Sequence, residues 1–159
     1  IIEILTGIRP EGFTSSSMQW GTDTEPLARA VYEAETGNIV KEVGFINHPT
    51  IDRLGASPDG VINDDIILEI KCPNTATHIE FILNPVIKKD YIYQMNCQMM
   101  CTGATVCHFV SYDPRLPDNI AFKMVEVNRD PTICKEIEEE TKLFLMELDA
   151  TIKALKELE

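Results

Sequence analysis

The chain lacks an uninterrupted apolar run of about eighteen residues, and it does not open on a basic stretch followed by a small-residue cleavage site. Neither a membrane-spanning helix nor a secretory leader is therefore visible, and the expectation is a soluble protein of the cytoplasm. Histidine is scarce and scattered, at His48, His78 and His108, each of which reads as a satisfied surface or core residue. No phosphate-loop glycine pattern and no nucleophile elbow is present, which speaks against nucleotide-loop and acyl-transfer chemistry. Basic residues are also few: 14 Lys and Arg stand against 26 Asp and Glu, a formal net charge of −12. This points away from a surface that is electropositive all round and speaks against a simple nucleic-acid binder. Part of the acidity gathers beyond Asp130, where it reads as a solvated helix face. The five cysteines, Cys72, Cys97, Cys101, Cys107 and Cys134, match neither a zinc ribbon nor a compact disulfide framework. They read as reduced, buried thiols; a cluster around Cys97, Cys101, Cys107 and His108 is the alternative.

With 159 residues, 44% of them hydrophobic, the chain is long enough to bury a core, and residues 1–159 read as a single domain. The opening "IIEILTG" reads as the last turns of a helix stopped by Gly7, so an N-terminal segment is expected upstream. A loop is expected from Ile8 to Ser17. "TDTEPLARAVYEAETG" then predicts a helix capped by Thr22 or Thr24, with Glu25 and Pro26 in its first turn and Gly37 as its stop. "NIVKEVGFI" predicts a strand; "DGVI" and "IILEIK", joined by "NDD", predict a hairpin. "THIEFIL" and "YIYQMNCQMM" predict helices, and "CHFVSY" and "AFKMVEV" two further strands across the loop "DPRLPDN". Ile133, Ile137, Phe144, Leu148, Ile152 and Leu155 mark a long amphipathic C-terminal helix.

The chemistry concentrates in "SPDGVINDDIILEIKCP", Ser57 to Pro73. Side chains alternate along a strand, so Glu69 and Lys71 share one face while Leu68 and Ile70 occupy the other. A hairpin of this length brings Asp59 beside Glu69. Two neighbouring carboxylates repel, and a hard divalent cation such as Mg²⁺ resolves the repulsion. Such an ion activates water against a phosphodiester, and an adjacent lysine orients that water or offsets charge on the phosphate. A solvent-facing edge strand carrying Glu and Lys without a role is the competing reading.

"SPDG" followed by "LEIKCP", with "WGTDTEPLARAVYEAETG", "YIYQMNCQ" and "FVSYDPRLP", closely resembles the lambda exonuclease group of phage-type alkaline exonucleases (YqaJ-like viral recombinases), in the PD-(D/E)xK nuclease superfamily. The resemblance spans most of the chain. It implies an α/β fold, a central mixed sheet flanked by helices with a restriction-endonuclease-like core. The implied activity is a Mg²⁺-dependent 5′ to 3′ exonuclease, with Mn²⁺ as a substitute, that releases 5′-mononucleotides from double-stranded DNA ends. The implied partners are two further copies in a homotrimer ring and a single-strand annealing protein acting in recombination. The resemblance makes Asp59, Glu69 and the Ile70 carbonyl metal ligands, adds Glu25 for a second metal, makes Lys71 the residue that orients water, and sets Gln94 beside the site. Met18 corresponds to an apolar DNA-binding residue that wedges the duplex end; read alone it is a packed methionine. The family's pocket for the DNA 5′-phosphate lies in the N-terminal segment expected upstream. Lys41, Arg53, Lys88, Lys89 and Arg115 are candidates for a basic channel lining. An endonuclease or flap nuclease of the same fold, or a non-catalytic binding module, are the alternatives.

Overall fold

The six residues Ile66–Lys71 form strand β4, and "IILEIK" is buried through its centre on both faces, the pattern of a strand covered on both sides. A computed structural model describes residues 1–9, 12 and 14–158. In it β4 pairs antiparallel with β3 (Gly60–Val61), parallel with β5 (Val106–Tyr112), and β5 pairs antiparallel with β6 (Phe122–Asn128), giving the mixed order β3-β4-β5-β6. The parallel pair needs a long crossover, and helices α3 (Thr75–Leu83) and α4 (Lys89–Thr102) supply it.

Alternation along β4 divides the core in two. Leu68 and Ile70 pack with Ala28 and Tyr32 of helix α2 (Ser16–Thr36), whereas Ile67 packs with Met95 and Met99 of α4. Glu69 and Lys71 follow Ile67's parity and face the α4 side. Helix α6 (Pro131–Lys156) lies against α4, capped by Asp130, whose side chain accepts from the Thr132 and Ile133 amides. The sheet flanked by helices agrees with the expected fold.

Several local expectations are corrected. Helix α2 begins at Ser16, with Ser15 Oγ accepting from the Met18 N–H at 3.2 Å, so Glu25 and Pro26 lie in the helix interior and not in its first turn. Proline there costs the in-helix donor to Thr22 but does not end the helix, because the buried Thr24, Ala28 and Tyr32 anchor it across that position. The segment "NIVKEVGFI" is not a continuous strand: it makes one bridge, Lys41 to Val61, and the two-residue strand β1 (Ile46–Asn47). β1 pairs with β2 (Gly55–Ala56), which the sequence pattern did not reveal. Val40 packs against the cluster that holds Leu68 and Ile70, while Ile39 and Phe45 are exposed. The loop after β5 holds one helical turn, α5 (Asp118–Ala121), and a first short helix, α1 (Ile2–Thr6), ends at left-handed Gly7. On α6, Phe144 and Leu155 are exposed, and Ile152 is its buried residue.

Candidate active site

Gly60 starts the geometry. A side chain there would collide with Val40, so only glycine lets the Val40–Lys41 segment, bridged to Val61, lie against β3 on the edge away from β4. The Asp59 N–H donates to the Leu68 carbonyl at 3.1 Å, and Asp59 Oδ2 accepts from the Ile70 N–H at 2.6 Å. These two bonds hold the Asp59 carboxylate beside the β4 segment that carries Glu69.

Glu69 is completely buried and surrounded by donors. Its Oε1 accepts from the Lys71 ammonium and, at 2.7 Å, from Gln94 Nε2; its Oε2 accepts from Gln98 Nε2 at 2.7 Å. Gln98 also donates to the Ser57 carbonyl at 3.2 Å, tying α4 to the loop before Asp59. Gln94 and Gln98 are one helical turn apart on α4, a spacing that could have flagged Gln98, which sequence reasoning missed. A carboxylate has about four lone-pair directions, so Glu69 retains capacity for a further ligand. The Lys71 ammonium also lies 4.8 Å from the centre of the Tyr91 ring.

The charges here do not balance. Burial, then the neighbouring Glu69 charge, push the Asp59 carboxyl up to about 7, with Glu25 adding to the effect and the Ile70 N–H opposing it. Burial alone would lower the Lys71 ammonium, but the charge and hydrogen bond of Glu69 outweigh it, and Lys71 stays above the ordinary lysine range. The site is short of positive charge. The Asp59 and Glu69 carboxylates offer oxygen ligands, which suit a hard divalent cation. Among the described residues no three His, Cys, Asp or Glu side chains converge as a metal cage. Two carboxylates with the remaining positions left to water and substrate fit Mg²⁺-type binding, which relies on few protein ligands.

Asp59, Glu69, Ile70, Lys71 and Gln94 all line one open cleft of about 730 Å³, together with Glu25 and Met18. Glu25 is turned toward Arg29, whose guanidinium donates to it at 2.6 Å, lies 3.0 Å from Glu42 and reaches the Asp59 carbonyl at 3.3 Å. It therefore approaches the pair without joining it. Met18 is 57% exposed on the rim and is not packed in the core. Of the five basic candidates, Lys88 and Arg115 line the cleft. Arg53 instead forks onto Asp149 of α6 at 2.7 Å, and Lys89 sits over the Tyr93 ring. Arg115 stacks on Trp20, 4.4 Å from its ring, and donates to both oxygens of Asp113 at 2.7 and 3.0 Å. Sequence reasoning did not single out Trp20 or Asp113.

The histidines are structural. His48 Nδ1 accepts from the Thr50 and Ile51 amides, His78 joins Ser111 to the Ile120 carbonyl, and His108 meets the Tyr32 hydroxyl. All five cysteines are free, and burial pushes Cys72, at the cleft, up to about 12, so it is a neutral thiol.

Comparison with known proteins agrees with this architecture. The alkaline exonuclease LHK-Exo from Laribacter hongkongensis superimposes with a TM-score of 0.91 at 52% identity over 96% of this chain and 77% of that one. Its complex with dAMP gives the same TM-score at 51% identity, covering 97% and 78%. A phage related exonuclease from Haemophilus somnus shares the fold at a TM-score of 0.78 and 15% identity, over 97% and 79%. No match is found among the curated proteins. These neighbours have the restriction-endonuclease-like fold, and residues 3–105 match the model of the YqaJ-like viral recombinase domain. The chain thus belongs to the YqaJ-like viral recombinase family, as a homologue of the lambda-exonuclease-type alkaline exonucleases.

Proposed function

We propose that this alkaline-exonuclease homologue is a divalent-metal-dependent 5′ to 3′ exonuclease that hydrolyses one strand of double-stranded DNA to 5′-mononucleotides. The observation that carries the reading is the convergence of Asp59, just before β3, with Glu69 and Lys71 of β4 in an open cleft, one half-buried acid, one buried acid and one ammonium. A Mg²⁺ ion held by Asp59, Glu69 and the Ile70 carbonyl would supply Lewis acidity toward a phosphodiester and its attacking water, with Mn²⁺ as a substitute.

The chain's own groups do the rest. Lys71, protonated and tethered by Glu69, orients the attacking water and offsets charge that develops on the phosphoryl oxygens. Gln94 and Gln98 hold Glu69 from both oxygens, so its carboxylate does not swing when substrate enters. Glu25 faces the same cleft as the acid for a second ion, released from Arg29. Met18, exposed at the rim, meets the duplex end, and Lys88 and Arg115 meet phosphates. LHK-Exo was crystallised with dAMP, a ligand of the size of the mononucleotide product assigned to this chain.

The reading extends to assembly and place. A homotrimer ring reconciles DNA binding with a net charge of −12, because a ring holds its substrate topologically and leaves the outer surface free to be acidic. A single-strand annealing protein would take up the exposed 3′ strand in recombination. The site of action is the cytoplasm of a bacterium or phage-infected cell; among the described residues no helix is long and apolar enough to cross a membrane. Residues 1–159 are read as one nuclease domain.

The decisive experiment digests a linear duplex labelled separately at its 5′ and 3′ ends, with Mg²⁺ or EDTA, using the wild type and Asp59→Ala. Mg²⁺-dependent release of 5′-terminal mononucleotides, absent in the variant, is expected. Cleavage of a covalently closed circle would instead establish an endonuclease, and an intact duplex with folded protein would favour a binding module over the exonuclease.

A further inference from the structure

A second cavity, of about 380 Å³, lies directly across Lys71 from the cleft. Lys71, Pro73, Thr77, Lys88 and Tyr91 line both spaces, so one wall is common to them. The cavity differs in chemistry from the cleft. Its walls are Phe81, Tyr91 and Phe109, with Val86 and Asn84 at the mouth. Phe109 meets Phe81 edge-on at 5.5 Å and Tyr91 at 5.9 Å. The Lys71 ammonium bridges the two environments, bound to Glu69 on one side and set over the Tyr91 ring on the other.

We propose that this cavity is a nucleobase pocket, which takes the unpaired base of the terminal nucleotide while its phosphodiester lies at Asp59, Glu69 and Lys71. The inference rests on the exonuclease reading. In that reading the substrate joins an anionic phosphate to a flat, apolar-faced base through one sugar, and the protein offers an acid-and-lysine cleft joined to an aromatic cavity through one lysine. The volume lies in the range of small-molecule pockets, roughly 300 to 1,000 Å³, and accommodates any of the four bases. Withdrawing a base from the stack costs free energy, least at a strand end where pairing is weakest. Stacking on an aromatic wall offsets that cost and tolerates every base, because each has a π-face. Thr77, Glu80, Asn84 and Ser111 add polar groups to the lining, hydroxyls, an amide and a carboxylate that can donate to or accept from different base edges. An exonuclease that must remove every base in turn needs such tolerance.

The test measures binding of 2-aminopurine deoxyriboside 3′-monophosphate, whose phosphate stands where the scissile one does, by its fluorescence, in competition with deoxyribose 3-phosphate, to the full chain with Mg²⁺. Quenching on binding and an affinity at least about tenfold above the baseless compound are expected, the size of one stacking contact. Val86→Trp fills the mouth from a position that is 70% exposed in the wild type, and should erase that advantage. In a parallel assay, a duplex whose 5′-terminal nucleotide is abasic should lose its first nucleotide about tenfold more slowly in the wild type than an ordinary duplex. Equal affinity of the two ligands for the wild type, or an undiminished advantage in a folded Val86→Trp variant, would overturn the pocket. If ordinary duplex is still digested in that case, the exonuclease reading survives; if the wild type digests none, both fall.

Discussion

Two aspartates at strand ends, on either side of β4, have opposite fates. Asp113, just past β5, is enclosed by partners: the Arg115 fork, the Arg115 N–H at 3.0 Å and the Thr75 hydroxyl at 2.6 Å. Burial works against its charge, but Arg115 and Thr75 more than compensate, and the carboxyl sits at about 2. Asp59, just before β3, is also sheltered, yet it faces Glu69 and is held up at about 7. One acid is a finished ion pair; the other faces a second carboxylate. The lesson is that a buried acid signals function when its environment leaves it short of positive charge, not when it is merely buried.

The largest test of this contrast is Asp59→Asn. Catalysis should fall by roughly a thousandfold, since half of the carboxylate pair that would hold the cation is lost. Without metal the variant should be the more stable protein at pH 8, by on the order of 2 kcal/mol, as a buried charge has been removed. The sign follows from the protons. Native Asp59 keeps its proton to about pH 7 while the unfolded carboxyl releases it near 3.8, so apo stability falls as pH rises from 4 to 7. Asp113 does the reverse, with a contribution present above about pH 4 and lost as pH falls toward 2. Thermal unfolding against pH in EDTA reads both slopes, and a wild type without the first would refute the charge deficit. Mg²⁺ affinity, measured by titration calorimetry, should weaken about tenfold per pH unit below 7 as protons compete for Asp59.

Lys71→Ala comes next. Turnover should drop by about a hundredfold or more while metal and DNA binding persist, because the lysine acts on water and phosphate; wild-type-like turnover removes it from the mechanism. Gln98→Leu should lower kcat by about tenfold through a loosened Glu69, with little change in KM; an unchanged kcat would make Gln98 structural only. The smallest effect belongs to Asp113→Asn. After allowance for the exposure of Arg115, it should cost about 1 kcal/mol of stability and move kcat least. A loss of activity as severe as in Asp59→Asn would collapse the distinction between the two acids.

How legible all this was depended on the range of the interaction. The hairpin across "NDD", strands β5 and β6, and helices α3, α4 and α6 follow from periodicity and turn residues that act over a few positions. The start of α2 was misread because Pro26 and Glu25 look like a first turn, whereas burial of Thr24, Ala28 and Tyr32 carries the helix through. Strand β2 was invisible because its two residues, Gly55 and Ala56, have no propensity of their own and exist by pairing with β1.

The same division holds at the site. By themselves, the residues of "SPDG" and "LEIKCP" determined which groups are available, that Glu69 and Lys71 share a face, and that Asp59 comes back beside them. These are consequences of a two-residue strand period and a short connection. Only tertiary structure decided that this face meets α4 rather than water, that Gln94 and Gln98 hold Glu69, that Arg29 draws Glu25 aside, and that an aromatic cavity adjoins Lys71. Those facts depend on contacts between segments distant in sequence. Burial and charge, which turn a pair of acids into a site for a cation, exist once the elements have packed.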